Sequence, residues 1–206
     1  EGRGARPPYV LIGHSYGGLI AQYYAMCHPE EVKGMVLIDP AHEDQFHEFP
    51  WDFTTGFKVV IPCIFKVYQN FAWTGLLKAM DALSLFNFPP IFLFPRDSKI
   101  RTAAVDLYSS GLIWHAVAKE LQGCEATFEN MKMIRKPLPD VPIALIIATN
   151  RRFSPTLFPD AVTKAFLKMH KNLPAKLYLA NSDHWIHIQE PQIVLEAVDH
   201  VLAHIK

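Results

Sequence analysis

The feature that most constrains this chain is a short apolar run that leads into a glycine-lined turn with one serine at its centre. Residues 9–12 have the length and apolar character of a buried strand, and residues 19–26 continue with small and apolar side chains at helical spacing. A strand that turns at once into a helix leaves little room, so we expect small residues to be required at Gly13 and Gly17. The pattern predicts a strand, a tight turn and a helix that lift Ser15 out at the carboxyl end of the strand.

This placement makes Ser15 a candidate nucleophile. Ligands bind beyond the carboxyl ends of the strands in open α/β sheets. The backbone N–H of Tyr16 would point at the group that Ser15 attacks, as one donor of an oxyanion hole. Matches to Gly-x-Ser-x-Gly also arise by chance in glycine-containing turns, but the flanking strand and helix are the context that the motif requires. We therefore predict a catalytic serine at Ser15 and an oxyanion donor at Tyr16.

These residues and several segments downstream resemble the α/β-hydrolase family. The resemblance is carried by the turn Gly13-His14-Ser15-Tyr16-Gly17-Gly18, the strand 32–38 with Asp39-Pro40 at its end, the strands 141–149 and 176–180, and Asp183-His184-Trp185-Ile186 before a final helix. It implies an α/β fold with a mostly parallel sheet, flanking helices and an inserted helical cap. It also implies a serine hydrolase of the esterase type, with Ser15 as nucleophile and His184 as general base.

The residues themselves also favour His184 as the base. It follows a predicted strand in the polar turn 181–183, from which an imidazole can reach a serine on a neighbouring strand end. His187 is its nearest rival, and we expect His14 to pack beside the serine turn. Four other histidines are expected in helical, solvent-facing positions: His28, His170, His200 and His204.

The acid that would orient the histidine departs from the commonest family pattern, which places an aspartate after the strand 141–149. Residues 150–155 there read Asn-Arg-Arg-Phe-Ser-Pro. Asp39 ends the preceding strand, where some branches of the family, the haloalkane dehalogenase-like enzymes among them, have their acid. We predict Asp39 as the acid and Asp160 as the second choice, although Asp-Pro also suits a turn and Asp160 suits a helix start. Glu43 and Asp44 are either ion-paired loop residues or contributors to the site.

The organisation expected from the sequence is a single, partial domain over residues 1–206, with a disordered lead-in at 1–8. Only fourteen residues precede Ser15, whereas the resemblance implies four strands and two helices before it, including the second oxyanion donor. We therefore expect the carboxyl-terminal portion of a hydrolase. Its first strand would then be an exposed edge, and such an edge favours self-association.

About a hundred residues separate the second strand from the third, which is too many for one crossover helix, so an inserted cap is expected at approximately 46–137. Its first half is rich in aromatic residues, up to the run 86–94. Two interpretations stay open: these side chains pack the cap onto the sheet, or they line a hydrophobic pocket or contact a lipid interface.

Composition excludes some classes of function. Lys plus Arg equals Asp plus Glu at 20 each, which argues against nucleic acid as a partner because such partners demand a basic surface. No cofactor or metal motif is recognisable, and Cys27, Cys63 and Cys124 lack the spacing of a disulfide framework. We favour a cytoplasmic location.

The sequence therefore predicts a serine hydrolase that cleaves a small or medium hydrophobic carboxylic ester, without a cofactor or a metal ion. The aromatic cap favours a lipase or lysophospholipase as a variant, and a carbon–carbon bond hydrolase uses the same kind of site. A hydrolase-fold ligand-binding protein with little catalysis is the alternative from a different class. It is motivated by the unplaced acid and the missing oxyanion donor.

Overall fold

The structure is a computed structural model that describes residues 6–83, 85, 94, 98–152 and 156–205. The chain divides into two units: unit 1 comprises residues 1–51 and 128–206, and unit 2 comprises residues 52–127. Unit 2 falls within the segment expected as a cap. The predicted domain boundaries stay a prediction, and most of the predicted lead-in, at 1–5, lies outside the described residues.

Unit 1 is built on a parallel sheet of four strands in the order β1-β2-β3-β4. The strands are β1 (Tyr9–His14), β2 (Val32–Ile38), β3 (Ile143–Ala148) and β4 (Lys176–Ala180). At their carboxyl ends His14 pairs with Ile38, Ile38 with Ile146, and Ala148 with Ala180. The residues that follow these strands therefore meet along one edge of the sheet.

The two central strands are buried on both faces, as expected for a parallel sheet that is covered by helices. Successive side chains point to opposite faces of a strand, and every residue of β3 is buried. One face packs on the last helix, where Ala197 and Val201 contact a cluster formed by alternate residues of β2 and β3. Because both strands are continuous apolar runs, they can be predicted from the sequence.

The helices of unit 1 connect and flank these strands. They are α1 (Tyr16–Cys27), a 3₁₀ turn (Pro29–Glu31), α2 (Gln45–Glu48), and, after β3, α8 (Pro159–Met169), α9 (Ile186–Gln189) and α10 (Pro191–Ala203). Pro29, Pro159 and Pro191 each stand at a helix start, where the missing proline N–H costs no helical hydrogen bond.

Unit 2 is helical. Its elements are α3 (Trp51–Thr55), a π-helical segment (Gly56–Val60), α4 (Ile61–Trp73), α5 (Leu76–Ala82), α6 (Lys99–Tyr108) and α7 (Gly111–Ile134), of which α3 starts and α7 ends in unit 1. Its core is a cluster around Trp114, which packs with Ala72, Leu77 and Val105. The indole N–H of Trp114 donates to the carbonyl of Tyr108 at 2.6 Å, so its polar atom is satisfied within the core.

The fold prediction is confirmed: the described residues form a mostly parallel α/β sheet with flanking helices. Strand β1 is at one edge of this sheet, and its Ile12 side chain is 54% exposed. Self-association through that edge stays a prediction. Among the described helices, none combines the length and the apolar character that crossing a membrane requires.

Candidate active site

Ser15 lies in the turn between β1 and α1 with a backbone conformation that non-glycine residues rarely adopt, at φ 54° and ψ −125°. Backbone hydrogen bonds hold it there, and the N–H of Gly18 donates one of them to the carbonyl of Ser15 at 3.0 Å. The N–H of Ser15 donates to the carbonyl of Ile38 at 3.0 Å, and the N–H of Ala41 donates to the carbonyl of Ser15 at 2.9 Å. A strained conformation persists only where its surroundings fix it, and such residues cluster at functional sites.

Close approach requires glycine at two positions of this turn, and one of them differs from the expectation. A Cβ atom at Gly13 would lie 2.5 Å from the carbonyl oxygen of Gly17, and one at Gly18 would lie 2.6 Å from Cβ of Pro40. A Cβ atom at Gly17 meets nothing within 4 Å. The expectation was therefore right for Gly13 and wrong for Gly17, because Gly17 is exposed on the first turn of α1 while Gly18 faces the end of β2.

We expect Gly18→Ala to lower the free energy of unfolding by about 1 to 3 kcal/mol, since the added methyl group must displace Pro40 or the helix start. Gly17→Ala is the matched control. It adds the same methyl group where space is open, and the higher helix propensity of alanine favours a change between zero and about 1 kcal/mol of stabilisation. Urea unfolding of both variants measures the difference, and equal stabilities would contradict this packing.

Asp39 follows β2 directly and contacts His184. The Nδ1 atom of His184 lies 2.7 Å from Oδ2 of Asp39, and the side chain of Asp39 is fully buried. A carboxylate only accepts hydrogen bonds, so Nδ1 carries the proton that it donates to Asp39. The opposite ring nitrogen, Nε2, is left as the acceptor of a proton.

The carboxylate of Asp39 accepts further hydrogen bonds from the end of β3. Oδ1 accepts from the backbone N–H of Ala148 at 3.2 Å and from Nη2 of Arg151 at 2.7 Å, while Oδ2 accepts from Nη1 of Arg151 at 2.9 Å. Burial alone would raise the pKa of Asp39. The charge of Arg151 and the hydrogen bond to His184 outweigh burial, so the pKa of Asp39 lies well below its ordinary value. Asp39 is therefore a stable anion beside the imidazole.

His14 anchors the loop that carries His184. Its Nε2 atom lies 2.8 Å from the carbonyl oxygen of His184, and the two rings are 4.5 Å apart. Since a carbonyl only accepts, Nε2 of His14 carries the proton. Burial, together with the nearby His184, lowers the pKa of His14 from 6.5 to about 3, so His14 is neutral near pH 7. This matches the expectation that it packs beside the serine turn.

The other predicted candidates lie apart from this hydrogen-bonded pair. His187 is exposed and contacts the ring of His14 at 4.6 Å, while Asp39 bonds to His184. Partial desolvation of its imidazole ring is the main cause that lowers the pKa of His187, followed by the charge of His184. Asp160 is exposed in the first turn of α8, where the positive end of the helix dipole favours a carboxylate.

The loop after β2 contains a group of potential metal ligands, since atoms of His42, Glu43 and Asp44 lie within 4.8 Å of one another. Each has a protein partner. The N–H of Asp44 donates to Nδ1 of His42 at 3.1 Å, Arg135 pairs with Glu43 at 2.7 Å, and Lys132 pairs with Asp44 at 3.4 Å. Glu43 and Asp44 are therefore ion-paired loop residues.

One expectation about the histidines is wrong. His170 is buried, with 5% of its surface exposed, because it follows α8 and its ring packs edge-on against His42. Its Nδ1–H donates to the carbonyl of Phe166 at 2.9 Å, and its Nε2 atom is buried without a partner among the described residues. Burial lowers the pKa of His170 from 6.5 to about 4, against the opposing charges of Asp39 and Glu43.

Because His170 is buried, we expect the free energy of unfolding to fall in acid. Below pH 6.5 the unfolded chain takes up a proton at His170, whereas the folded protein resists this down to about pH 4. The unfolded state then binds more protons, so the free energy of unfolding falls as the pH falls through this window. His170→Gln removes the titrating group and should flatten that fall by up to about 1.4 kcal/mol per pH unit.

Urea unfolding at several pH values between 7 and 4.5 measures this slope. His28→Gln is the control, because His28 is exposed at the end of α1. The control should keep the original slope. Identical slopes in the His170 variant and the unchanged protein would contradict the predicted linkage.

Arg151 is the residue of this site that the sequence did not single out as functional. It follows β3 by three residues, in the segment 150–155 that contains no carboxylate. The available signal was its position, because a residue just after a buried parallel strand lies at the same edge as Ser15 and Asp39. The opposite charges of Arg151 and Asp39, both just after a strand, are a further signal that predicts their ion pair.

A family model described as "Alpha/beta hydrolase family" matches residues 1–197. Among curated proteins, the chain is 38% identical over 82 residues to a rice (Oryza sativa subsp. japonica) protein described as a "Probable 1-acylglycerol-3-phosphate O-acyltransferase", a match that covers 40% of this chain and 16% of the rice protein. It is 47% identical over 34 residues to Lipase LipV of Mycobacterium tuberculosis (strain ATCC 25618 / H37Rv), covering 16% of this chain and 13% of the lipase. The matches thus span a small part of these relatives.

The fold is similar to that of solved structures. A crystal structure of MGS-M2, an α/β-hydrolase enzyme from a Medee basin deep-sea metagenome library, matches with a TM-score of 0.56 and 18% identity. The match covers 98% of this chain and 67% of that chain. At this level of identity the likeness concerns the fold.

Proposed function

Because the chain belongs to the α/β-hydrolase family, we propose that it is a serine hydrolase in which Ser15 is the nucleophile, His184 the general base and Asp39 the acid of a catalytic triad. The observation that carries the proposal is the hydrogen bond of 2.7 Å between His184 and the buried carboxylate of Asp39. This hydrogen bond lies beyond the carboxyl ends of the parallel strands, where Ser15 follows β1. A buried acid, an oriented imidazole and a serine in a strained turn are the parts of a nucleophile elbow with its base.

The proposed reaction has two halves. Nε2 of His184 takes the hydroxyl proton of Ser15 as Oγ attacks the ester carbonyl, and the imidazolium is stabilised by the anion of Asp39. The tetrahedral intermediate collapses to an acyl-serine, and the imidazolium returns its proton to the leaving alcohol. Water, deprotonated by the same histidine, then releases the carboxylic acid and restores Ser15.

The oxyanion of each intermediate would accept a hydrogen bond from the N–H of Tyr16. Tyr16 is the first residue of α1, and the first N–H groups of an α-helix have no acceptor within the helix. The positive end of the helix dipole adds to the stabilisation of a negative charge there. This supports Tyr16 as one oxyanion donor.

The proposed substrate is a small or medium hydrophobic carboxylic ester. A lipase or lysophospholipase variant is favoured by one observation: apolar side chains are exposed along the π-helical segment and α4 of unit 2, where a lipid substrate has apolar surface to contact. These side chains are Val59, Val60, Ile64, Val67, Phe71 and Trp73. The relative Lipase LipV agrees with this variant in name. Most of the aromatic run 86–94 lies outside the described residues.

Labelling with a fluorophosphonate tests the proposal. An activated serine attacks the phosphorus and expels fluoride, so the label should be found by mass spectrometry on the peptide that contains Ser15. Absence of label from the folded protein would contradict the triad and favour a hydrolase-fold ligand-binding protein. A series of p-nitrophenyl esters from acetate to palmitate, followed by a lysophospholipid, then separates esterase from lipase preference.

A further inference from the structure

Arg151 is held more firmly than an ordinary surface arginine. Its side chain is 4% exposed and forms a two-pronged ion pair with both oxygens of Asp39. Its Nε–H donates to Oγ1 of Thr163 at 3.1 Å, and its guanidinium lies 4.4 Å above the ring of Phe166. Thr163 in turn donates to the carbonyl of Ala148 at 3.3 Å. The side chain of Arg151 is therefore fixed by Asp39 after β2 and by Thr163 and Phe166 of α8.

This arrangement restricts the carboxylate of Asp39. Without Arg151, the carboxylate would keep only His184 at Oδ2 and the N–H of Ala148 at Oδ1, and the second of these bonds is long, at 3.2 Å. Rotation about the bond from Cβ to the carboxyl carbon moves both oxygens together, so one long bond resists it weakly. The planar fork of Arg151 holds both oxygens at once, which a lysine cannot do. Oδ2 is thereby aimed at Nδ1 of His184.

The positive charge of Arg151 also acts on the base through Asp39. A carboxylate that already pairs with a guanidinium stabilises a nearby imidazolium less than an unpaired carboxylate does. Among the described residues, the other titratable groups around His184 are two histidines and one aspartate. The ring of His14 contacts that of His184, and the ring of His187 contacts that of His14. Asp183 accepts a hydrogen bond from the backbone N–H of His184 at 2.7 Å. Arg151 is the cation that contacts the triad acid.

We infer that Arg151 is a positioning residue of the proposed triad: it aims the carboxylate of Asp39 at His184, and its positive charge offsets part of the attraction between that carboxylate and a protonated His184. This inference rests on the proposed function for its effect on turnover. The electrostatic part rests on the ion pair with Asp39 alone. The two parts of the inference, aim and charge, have separate tests.

Arg151→Gln tests the charge. Without the cation, Asp39 stabilises the imidazolium of His184 more strongly, so the titration midpoint of that imidazole should move up by about one pH unit. Nuclear magnetic resonance of the ring protons measures it, with the signal assigned by its loss in His184→Gln. The acid limb of the pH profile of kcat/KM should move in the same direction.

The matched control is Arg152→Gln, which removes the same charge from the neighbouring position. Arg152 is exposed and bonds to Oδ1 of Asn150 at 3.0 Å. In this variant we expect the titration midpoint of His184 to stay within about 0.2 pH unit of its value in the unchanged protein, since exposed charges are screened by solvent. If Arg151 had only a structural role, its replacement would change the free energy of unfolding and leave the titration midpoint of His184 unchanged.

Arg151→Lys tests whether Arg151 orients the carboxylate of Asp39. It keeps the positive charge and loses the pair of hydrogen bonds from the guanidinium to both oxygens. We expect a kcat about ten- to a hundredfold lower with KM unchanged, and a midpoint near that of the unchanged protein. An unmoved midpoint in folded Arg151→Gln overturns the inference. If that variant does not fold, a kcat in Arg151→Lys equal to that of the unchanged protein overturns it. Failure of the proposed function is a different result: an unlabelled Ser15, whatever the midpoints show.

Discussion

Ser15→Ala is expected to lower the turnover of short p-nitrophenyl esters by about four to six orders of magnitude while the protein stays folded. In the proposed mechanism the hydroxyl group supplies the nucleophile, and its removal leaves a residue that packs in the same turn. The backbone bonds that fix this turn, from Ser15 to Ile38 and from Ala41 to Ser15, involve no side-chain atom. The expected change is therefore in kcat and not in the unfolding transition.

Steady-state kinetics and circular dichroism of the purified variant measure the two quantities. Ser110→Ala is the matched control, since Ser110 is a half-buried serine between α6 and α7 of unit 2. It should hydrolyse the same esters at the original rate. Full activity in Ser15→Ala would contradict the central assignment, and an unfolded Ser15→Ala would show that the turn depends on the hydroxyl group.

The sequence was sufficient for the strands because their signals are local. The apolar runs that became β2 and β3 are buried on both faces, and the glycine turn is bounded by a strand and a helix. The positions of His184 and Asp39 followed from the resemblance and from the rule that strand ends share an edge. Their contact was expected only through the resemblance, since 145 residues separate them along the chain and no local pattern links the two.

The parts that the sequence did not yield depend on tertiary packing. Which glycine of the turn is essential depends on the position of Pro40 against Gly18, two residues that are distant along the chain. His170 was expected at the surface because it ends an amphipathic helix, but the loop after β2 covers it through His42. Arg151 carried no motif. Its role became visible only when Asp39 and Thr163 were found on either side of its guanidinium.

The choice between the two candidate acids is decided by a pair of amide variants. Asp39→Asn should lower turnover by about four orders of magnitude, because an amide donates as well as accepts and so favours the wrong tautomer of His184. Asp160→Asn should leave turnover near its original level. Asp160 is exposed at the start of α8, where its charge contributes about 1 kcal/mol or less to stability. A severe loss in Asp160→Asn with near-normal Asp39→Asn would reverse the assignment.

The buried ion pair complicates the first of these variants, and a third variant separates the causes. Asp39→Asn leaves the buried guanidinium of Arg151 without its carboxylate, and an unpaired buried charge costs about 3 to 5 kcal/mol. Lost turnover could then reflect lost folding. Asp39→Asn combined with Arg151→Gln removes both charges, so we expect it to regain most of that stability in urea unfolding. Turnover of the double variant should stay low, because it lacks the carboxylate that orients His184, as Asp39→Asn does. Recovery of turnover together with stability would show that Asp39 serves the fold and not the chemistry.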